Sequence, residues 1–319
     1  MIIHHSDARA LPLAVDLLSR QDLVAVPTET VYGLAGLSTS PEAIAKIYAA
    51  KNRPQGNPLI SHVADIAMAE RYAVFDPISR RLAESFWPGP LTLILPLRDG
   101  KGIDRSSTAG RELVALRAPK GFAHDVIAQL GMPVAAPSAN LSGRISPTTA
   151  RHVADDLGER ILLIIDGGPT SLGVESTVIH VGDTGVAILR PGALTADILA
   201  EVADAPLTEV AKDAEKLSPG MMSSHYAPRA SLRLDARRIE PGEAVLGFGQ
   251  DPIAGIEAAA EVFNLSPSGD LAEAARNLFD LMHKADAIGV HSIAVAPIPQ
   301  RGMGLAINDR LRRAAAPRS

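Results

Sequence analysis

The sequence predicts an α/β protein built in two units, and three observations carry that reading. Short apolar runs alternate with helix-periodic segments along the chain, the pattern of strands interleaved with helices. The 319 residues, 46% of them hydrophobic, supply more core than one small domain needs. A breaker-rich stretch over 206–230, with Pro206, Ser218-Pro219-Gly220 and Ala227-Pro228, reads as a linker between a long first part and a short second one.

Each element follows from local pattern. Residues 11–20 read as a helix and 23–26 as a short apolar strand. A helix over 41–50 has Ser40 as N-cap and Pro41 in the first turn, where its missing N–H does no harm. Residues 59–63 form a strand. The helix over 76–86 must stop at Trp87-Pro88-Gly89-Pro90, which cannot continue it. Strands over 91–96 and 113–117, a helix over 123–130, a strand over 134–136, a helix over 148–157 and a fully apolar strand over 161–165 follow. Strands over 174–180 and 187–190 and a helix over 195–202 complete the first part. Beyond the linker come a strand over 244–248, a helix over 271–284, a strand over 292–296 and a helix over 307–313. In the helix over 271–284, Leu271, Ala274, Ala275, Leu278, Leu281 and Met282 share one stripe. The final arginines Arg310, Arg312, Arg313 and Arg318 read as a solvated helix end, where cations suit the dipole.

Composition excludes several classes. Acids outnumber bases by 36 to 31, for a formal net charge of −5. Divided at residue 205, the first part holds 18 Lys/Arg against 22 Asp/Glu and the rest 13 against 14, so neither part carries the field of a non-specific nucleic-acid binder. Aromatics are 3%, too few for a stacking platform. The absence of cysteine removes disulfides, thiolate metal sites and a cysteine nucleophile. None of the nine histidines is paired at a zinc spacing. No apolar stretch approaches the roughly 20 residues that span a bilayer, so a soluble, cytoplasmic protein with no membrane partner is expected.

Polar residues gather where breakers gather, in five segments. Pro27-Thr28-Glu29-Thr30-Val31-Tyr32-Gly33-Leu34 follows a strand, where open α/β sheets place ligands; an ordinary turn with a threonine cap fits equally. Lys51-Asn52-Arg53-Pro54, followed by Asn57 through His62, could grip a polyphosphate with a point charge and a planar fork, or simply end a helix in solvent. His62 alone reads as a partly buried, hydrogen-bonded histidine. In Ala135 to Gly143, small residues let backbone approach a ligand while Ser138 and Asn140 offer short polar groups. It is neither a dinucleotide fingerprint nor a P-loop. Asp166-Gly167-Gly168-Pro169, Gly173 to Val178 and Arg190-Pro191-Gly192 form the fourth. Ser176 lacks the nucleophile-elbow context, and Asp166 and Glu175 suit Mg²⁺ or turns. The fifth, Pro219 to Pro228, has the composition of a docked segment or a lid.

In order and spacing, these five segments together resemble the threonylcarbamoyl-AMP synthase family, the YrdC-like proteins, in its long two-domain form. Lys51-x-Arg53 and Ser138-x-Asn140 are similar to the family's signature pair, and no signature position departs from it. The resemblance implies a YrdC-like twisted mixed sheet with flanking helices over 7–205, a linker or lid over 206–230, and a small Rossmann-like α/β accessory domain over 231–319. It implies a nucleotidyltransferase condensing L-threonine, bicarbonate or CO₂, and ATP into threonylcarbamoyl-AMP and pyrophosphate. The downstream machinery would pass the product to adenosine 37 of tRNA; direct contact with tRNA stays open. Thr30, His62, Arg117, Ala136 and Ser176 would line the threonine pocket, with Arg117 on the substrate carboxylate. Arg53, Asn57, Leu113, Ser138, Ser146, Arg190 and Tyr226 would bind ATP, Leu113 through its main chain alone. Lys51 and Arg53 would act at the phosphates, and Asn140 would support the Ser138 loop or help hold them. Mg²⁺ would arrive with the nucleotide, without a direct protein ligand. Met221, Met222 and Tyr226 would close over it. Two other readings stay open: a carbamoyltransferase-type domain, whose zinc-finger cysteines are lacking, and an RNA-binding module of the same fold.

Overall fold

The computed structural model describes residues 1–98, 102–208, 224–250 and 253–317. The long first part is one twisted mixed sheet. Its strands are β1 (Ile2–His4), β2 (Val24–Val26), β3 (Gly33–Leu37), β4 (Ile60–His62), β5 (Leu91–Pro96), β6 (Leu113–Arg117), β7 (Val134–Ala135), β8 (Leu163–Asp166), β9 (Thr177–Gly182), β10 (Gly185–Arg190) and β11 (Leu207–Thr208). They run in the order β1-β8-β2-β3-β7-β4-β6-β5-β9-β10-β11. Parallel pairs (β1 with β8, β4 with β6, β5 with β9) alternate with antiparallel ones (β2 with β3, β3 with β7, β5 with β6).

Helices cover both faces, and the period of two along each strand divides the core accordingly. Val24 and Val26 of β2 and Leu163 and Ile165 of β8 face α1 (Ala10–Ser19), α4 (Pro77–Phe86), α5 (Phe122–Leu130) and α7 (Ala196–Ala203). Ala25 and Ile164, between them in sequence, face α2 (Pro41–Lys51) and α6 (Ala150–Leu157). Helix starts lie where the caps put them. Ser40 Oγ accepts from the Ala43 N–H at 3.1 Å, and Asp76 Oδ1 accepts from Ile78 and Ser79, each at 2.9 Å.

The second part is a smaller, wholly parallel sheet, ordered β12 (Ser231–Arg233), β15 (Ser292–Val295), β13 (Ala244–Gly247), β14 (Glu261–Asn264). It packs on α8 (Leu271–Ala287), which keeps Ala274, Ala275, Leu278 and Met282 of the predicted stripe buried, and on α9 (Met303–Ala315). The two parts share a seam. Val31, Ile145 and Val174 of the first part belong to the same buried cluster as α8 and α9, together with Tyr226. Gly173 marks how close the approach is: it has φ +73°, and a Cβ there would lie 2.4 Å from the Arg276 backbone in α8.

Three readings of the sequence need correction. Gly33 and Leu34, placed in the loop or turn segment Pro27 to Leu34, and Ala35 to Leu37, given no element, form β3; glycines and small residues hide its strand character, which comes from burial between β2 and β7. Leu207 and Thr208, taken as the start of a linker free of regular elements, pair with β10 as β11. Arg310 is not in a solvated helix end; its side chain is wholly buried. Arg312 is exposed as expected, and Arg318 lies outside the described residues. Strands Ile2–His4, Ser231–Arg233 and Glu261–Asn264 also escaped the pattern, being three or four residues long.

Candidate active site

The polar segments converge because the backbone ties them together. Thr28 Oγ1 donates to the Val31 carbonyl at 2.7 Å, folding the turn after β2. The Leu34 N–H donates to the Pro137 carbonyl at 2.7 Å, and the Ala139 N–H donates to the Tyr32 carbonyl at 2.8 Å. A Cβ on Gly33 would come within 3.2 Å of the Ala136 Cβ, so glycine suits this crossing of two loops. β4 and β6 pair with His62 opposite Arg117, placing both at one end of their strands.

These contacts enclose one cavity. Thr30, His62, Arg117, Ala136 and Ser176, the five residues expected to line a threonine pocket, all line it. So do Arg53, Ser138, Arg190 and Tyr226 of the expected nucleotide set. Lys51, Asn57, Leu113, Asn140 and Ser146 stand behind the wall. The Lys51 ammonium donates to the carbonyls of Ser138 and Asn140, fixing the loop that carries Ser138. Asn140 Nδ2 donates to the carbonyls of Leu141 (2.8 Å) and Arg144 (3.0 Å), holding the same loop. Asn57 offers its carbonyl to Tyr48 Oη (2.9 Å) and Arg53 Nε (3.3 Å). Leu113 packs with Ile60, Ile94 and Leu189. Ser146 Oγ donates to Glu175 Oε1 at 2.5 Å.

The charges around the cavity are arranged in pairs and shells. Arg117 sits 2.8 Å from Glu29 Oε2 and donates through Nε to the Gly89 carbonyl at 3.2 Å. Arg190 donates to the Ser176 carbonyl from Nε (3.2 Å) and Nη2 (3.0 Å), and from Nη2 to Ser176 Oγ (3.1 Å), which in turn meets Thr92 Oγ1 at 2.8 Å. Burial pushes Arg53 down to about 10, still protonated at neutral pH. Burial, then the nearby Arg53 charge, lowers the Lys51 ammonium well below its usual range. His62 is held to about 3 by burial and by Arg117, so it faces the cavity as a neutral ring. Glu175 accepts from Arg310 Nε at 3.0 Å as well as from Ser146. Among the described residues no cluster of three or more acids or histidines could hold a metal.

Seven wall residues lie outside the expected set, Glu175 and His225 among them; in sequence, Glu175 reads only as suiting Mg²⁺ or a turn. Sequence reasoning missed Arg310, which meets Glu175 from α9. The signal for Arg310 was present: with Ile307, Leu311 and Ala314 it sits at the i, i+3, i+4, i+7 spacing of a buried stripe. Tyr226 is buried with φ +64°, a left-handed backbone uncommon for a bulky residue and the kind of strain that gathers at functional sites. Its ring meets His225 edge-on at 4.0 Å, and its hydroxyl, at the cavity wall, has no partner among the described residues. Met221 and Met222, expected to help close a lid, lie outside the described residues.

Fold and site together define a class: an α/β enzyme whose enclosed cavity combines guanidinium groups for an anion with short hydroxyls for a small polar molecule. A family model described as telomere recombination, covering Sua5, YciO and YrdC, matches residues 16–192, and one described as the C-terminal domain of threonylcarbamoyl-AMP synthase matches residues 194–316. The threonylcarbamoyl-AMP synthase of Bacillus subtilis is 41% identical over 96% of this chain and 92% of its own. The crystal structure of Pyrococcus abyssi Sua5 complexed with L-threonine superposes with a TM-score of 0.87 at 35% identity, over 99% of this chain and 97% of that one. Escherichia coli YciO, at 22% identity and TM-score 0.55 over 62% of this chain and 97% of its own, shares the fold. The chain belongs to the threonylcarbamoyl-AMP synthase family. No helix among the described residues is long and apolar enough to cross a membrane.

Proposed function

We propose that the cavity binds L-threonine and ATP and condenses them with bicarbonate or CO₂ into threonylcarbamoyl-AMP, releasing pyrophosphate. The observation that carries this reading is that all five expected threonine residues line one cavity with Arg53 and Arg190. The likeness to a Sua5 bound to L-threonine supports it. The catalytic unit then centres on residues 7–205 and the accessory domain on 231–319; of the expected lid over 206–230, residues 209–223 lie outside the described residues and Leu207–Thr208 belong to the large sheet. The work is cytoplasmic, and the product is for the machinery that modifies adenosine 37 of tRNA.

The chemistry suits a site with no nucleophile of its own. The threonine amine attacks the carbon of CO₂, giving a carbamate and releasing a proton. A carbamate oxygen then attacks the α-phosphorus, the P–O bond to the β-phosphate breaks, and pyrophosphate leaves with the electron pair. Arg117 pairs with the threonine carboxylate through a planar fork already steadied by Glu29 and Gly89. Neutral His62 adds no positive charge that would compete with Arg117 for that carboxylate. Arg53 and Arg190 meet the phosphates, and Ser138 sits on a loop that Lys51 and Asn140 hold rigid. Mg²⁺ would share the phosphate charge, arriving with the nucleotide. Burial keeps water from the carbamate and the mixed anhydride.

The test is to incubate the protein with ATP, Mg²⁺, bicarbonate and each amino acid in turn, following pyrophosphate and the adenylate product. Release that requires both threonine and bicarbonate is expected. Release with no preference among amino acids, or none at all, would reject the reading.

A further inference from the structure

Arg310 is a side chain from the accessory part, wholly buried against the catalytic one. Its Nε donates to Glu175 Oε2 at 3.0 Å, and its Nη1 donates to the Pro191 carbonyl at 2.6 Å and to Asp309 Oδ2 at 3.0 Å. The guanidinium also lies 5.7 Å from the centre of the Tyr226 ring. The other oxygen of Glu175 accepts from Ser146. Glu175, the one carboxylate lining the cavity among the described residues, thus has an oxygen hydrogen-bonded to Arg310 and the other to Ser146.

We propose that Arg310 is a positioning residue for the nucleotide half of the site, acting through Glu175: it takes up that carboxylate's charge so that Arg190 and Arg53 present theirs to an anionic substrate. The argument is one of charge in a buried space. Glu175, Arg190 and Arg53 line the same cavity, where a unit charge is felt more strongly than in water. Burial alone would push Glu175 up, yet Arg310, Arg190 and the Ser146 hydroxyl outweigh it and hold the carboxyl below its usual range, so it is ionised at neutral pH. Without Arg310, that negative charge turns on Arg190, and an incoming phosphate meets it. Accessory domain and substrate site are then coupled through one ion pair, and α9 contributes to a reaction it does not touch.

The inference rests on the proposed use of ATP, and a double-mutant cycle separates the two. In wild-type protein, pyrophosphate release from ATP and threonine tests the reading itself; if there is none, reading and inference fall together. With that activity in hand, Arg310→Met should raise the KM for ATP about tenfold, on the order of 1.4 kcal/mol, with the KM for threonine changed by less than about threefold. In a Glu175→Gln background the same Arg310→Met change should be nearly silent, because the charge it compensates is gone. Where Arg310→Met alone misfolds, Arg310→Lys takes its place in the cycle, and the double variant with both charged partners neutral still reports whether ATP binding survives without the pair. Arg310→Lys should recover part of the lost ATP affinity. Equal effects of Arg310→Met in the two backgrounds, or KM values for ATP and threonine that rise together, would overturn the inference while leaving the enzyme reading intact.

Discussion

Arg117 is shared. Part of its guanidinium is committed to Glu29 and Gly89, and the same group lines the cavity. Arg117→Ala should therefore raise the KM for threonine by roughly 2–5 kcal/mol of lost binding, by analogy with desolvated charge pairs, while ATP binding changes far less. Titration calorimetry with each ligand checks this, and equal losses would contradict the assignment. Lys51 makes a different prediction from the one its charge suggests. It holds the Ser138 and Asn140 carbonyls from behind the cavity, so Lys51→Met leaves two buried acceptors without a charged donor. Melting temperature should fall together with activity, at a cost of about 1–3 kcal/mol. Activity lost at an unchanged melting temperature would place Lys51 on the substrate instead. At this scale the sequence by itself was legible as polar segments, with Arg117 and Ser176 entering the pocket only through the family resemblance. It was opaque where a residue's meaning depends on a distant partner: nothing near Glu175 announces Arg310, 135 residues away.

Helices were easier to read than strands because their boundaries are chemical. Asp76 caps α4 with two hydrogen bonds, and the proline pair at Pro88 and Pro90 forbids its continuation. Asp76→Ala should cost about 1 kcal/mol, visible as a lower urea midpoint with an unchanged slope. An unaltered midpoint would mean that the cap contributes nothing. β3 shows the opposite case. Its five residues, Gly-Leu-Ala-Gly-Leu, have weak strand propensity, and both faces are buried, so there is no alternation to detect. Where β9 begins is likewise set by the site: Glu175 and Ser176 precede it, held by Arg310 and Arg190 rather than by a sheet ladder.

The molecule as a whole should be acid-labile. Burial lowers four histidines: His62 to about 3, His152 to about 4, and His225 and His283 below their usual range. Two of them, His152 on α6 and His283 on α8, stack across the seam with centroids 3.9 Å apart, so the charge of each discourages protonation of the other. His62 and His152 are neutral in the folded protein at mildly acid pH and titrate near 6.5 when unfolded, so unfolding takes up protons there, and the lowering of His225 and His283 acts in the same direction. Stability is complete above about 6.5 and declines as pH falls toward the folded values, by up to about 1.4 kcal/mol per pH unit for each histidine. Urea midpoints at about pH 7.5 and 5.5 should differ markedly, and His152→Gln with His283→Gln should reduce the difference; a flat profile would contradict buried neutral histidines. The same seam is intolerant of bulk. Gly173→Ala would drive a methyl into the α8 backbone from a left-handed position, costing at least about 1–3 kcal/mol. A variant as stable as the parent would show that the parts can separate freely.

The pairing of β1 with β8 has a consequence for how the chain is made. Ile2 lies opposite Ile164, so during synthesis β1 waits for a partner some 160 residues further along the chain. Glu175 then waits again, for α9. Until α9 is made, a nascent chain holds that acid without the guanidinium that meets it in the finished fold. Both ends of the chain thus close late onto what lies between them, and neither contact can form while synthesis is under way in the middle.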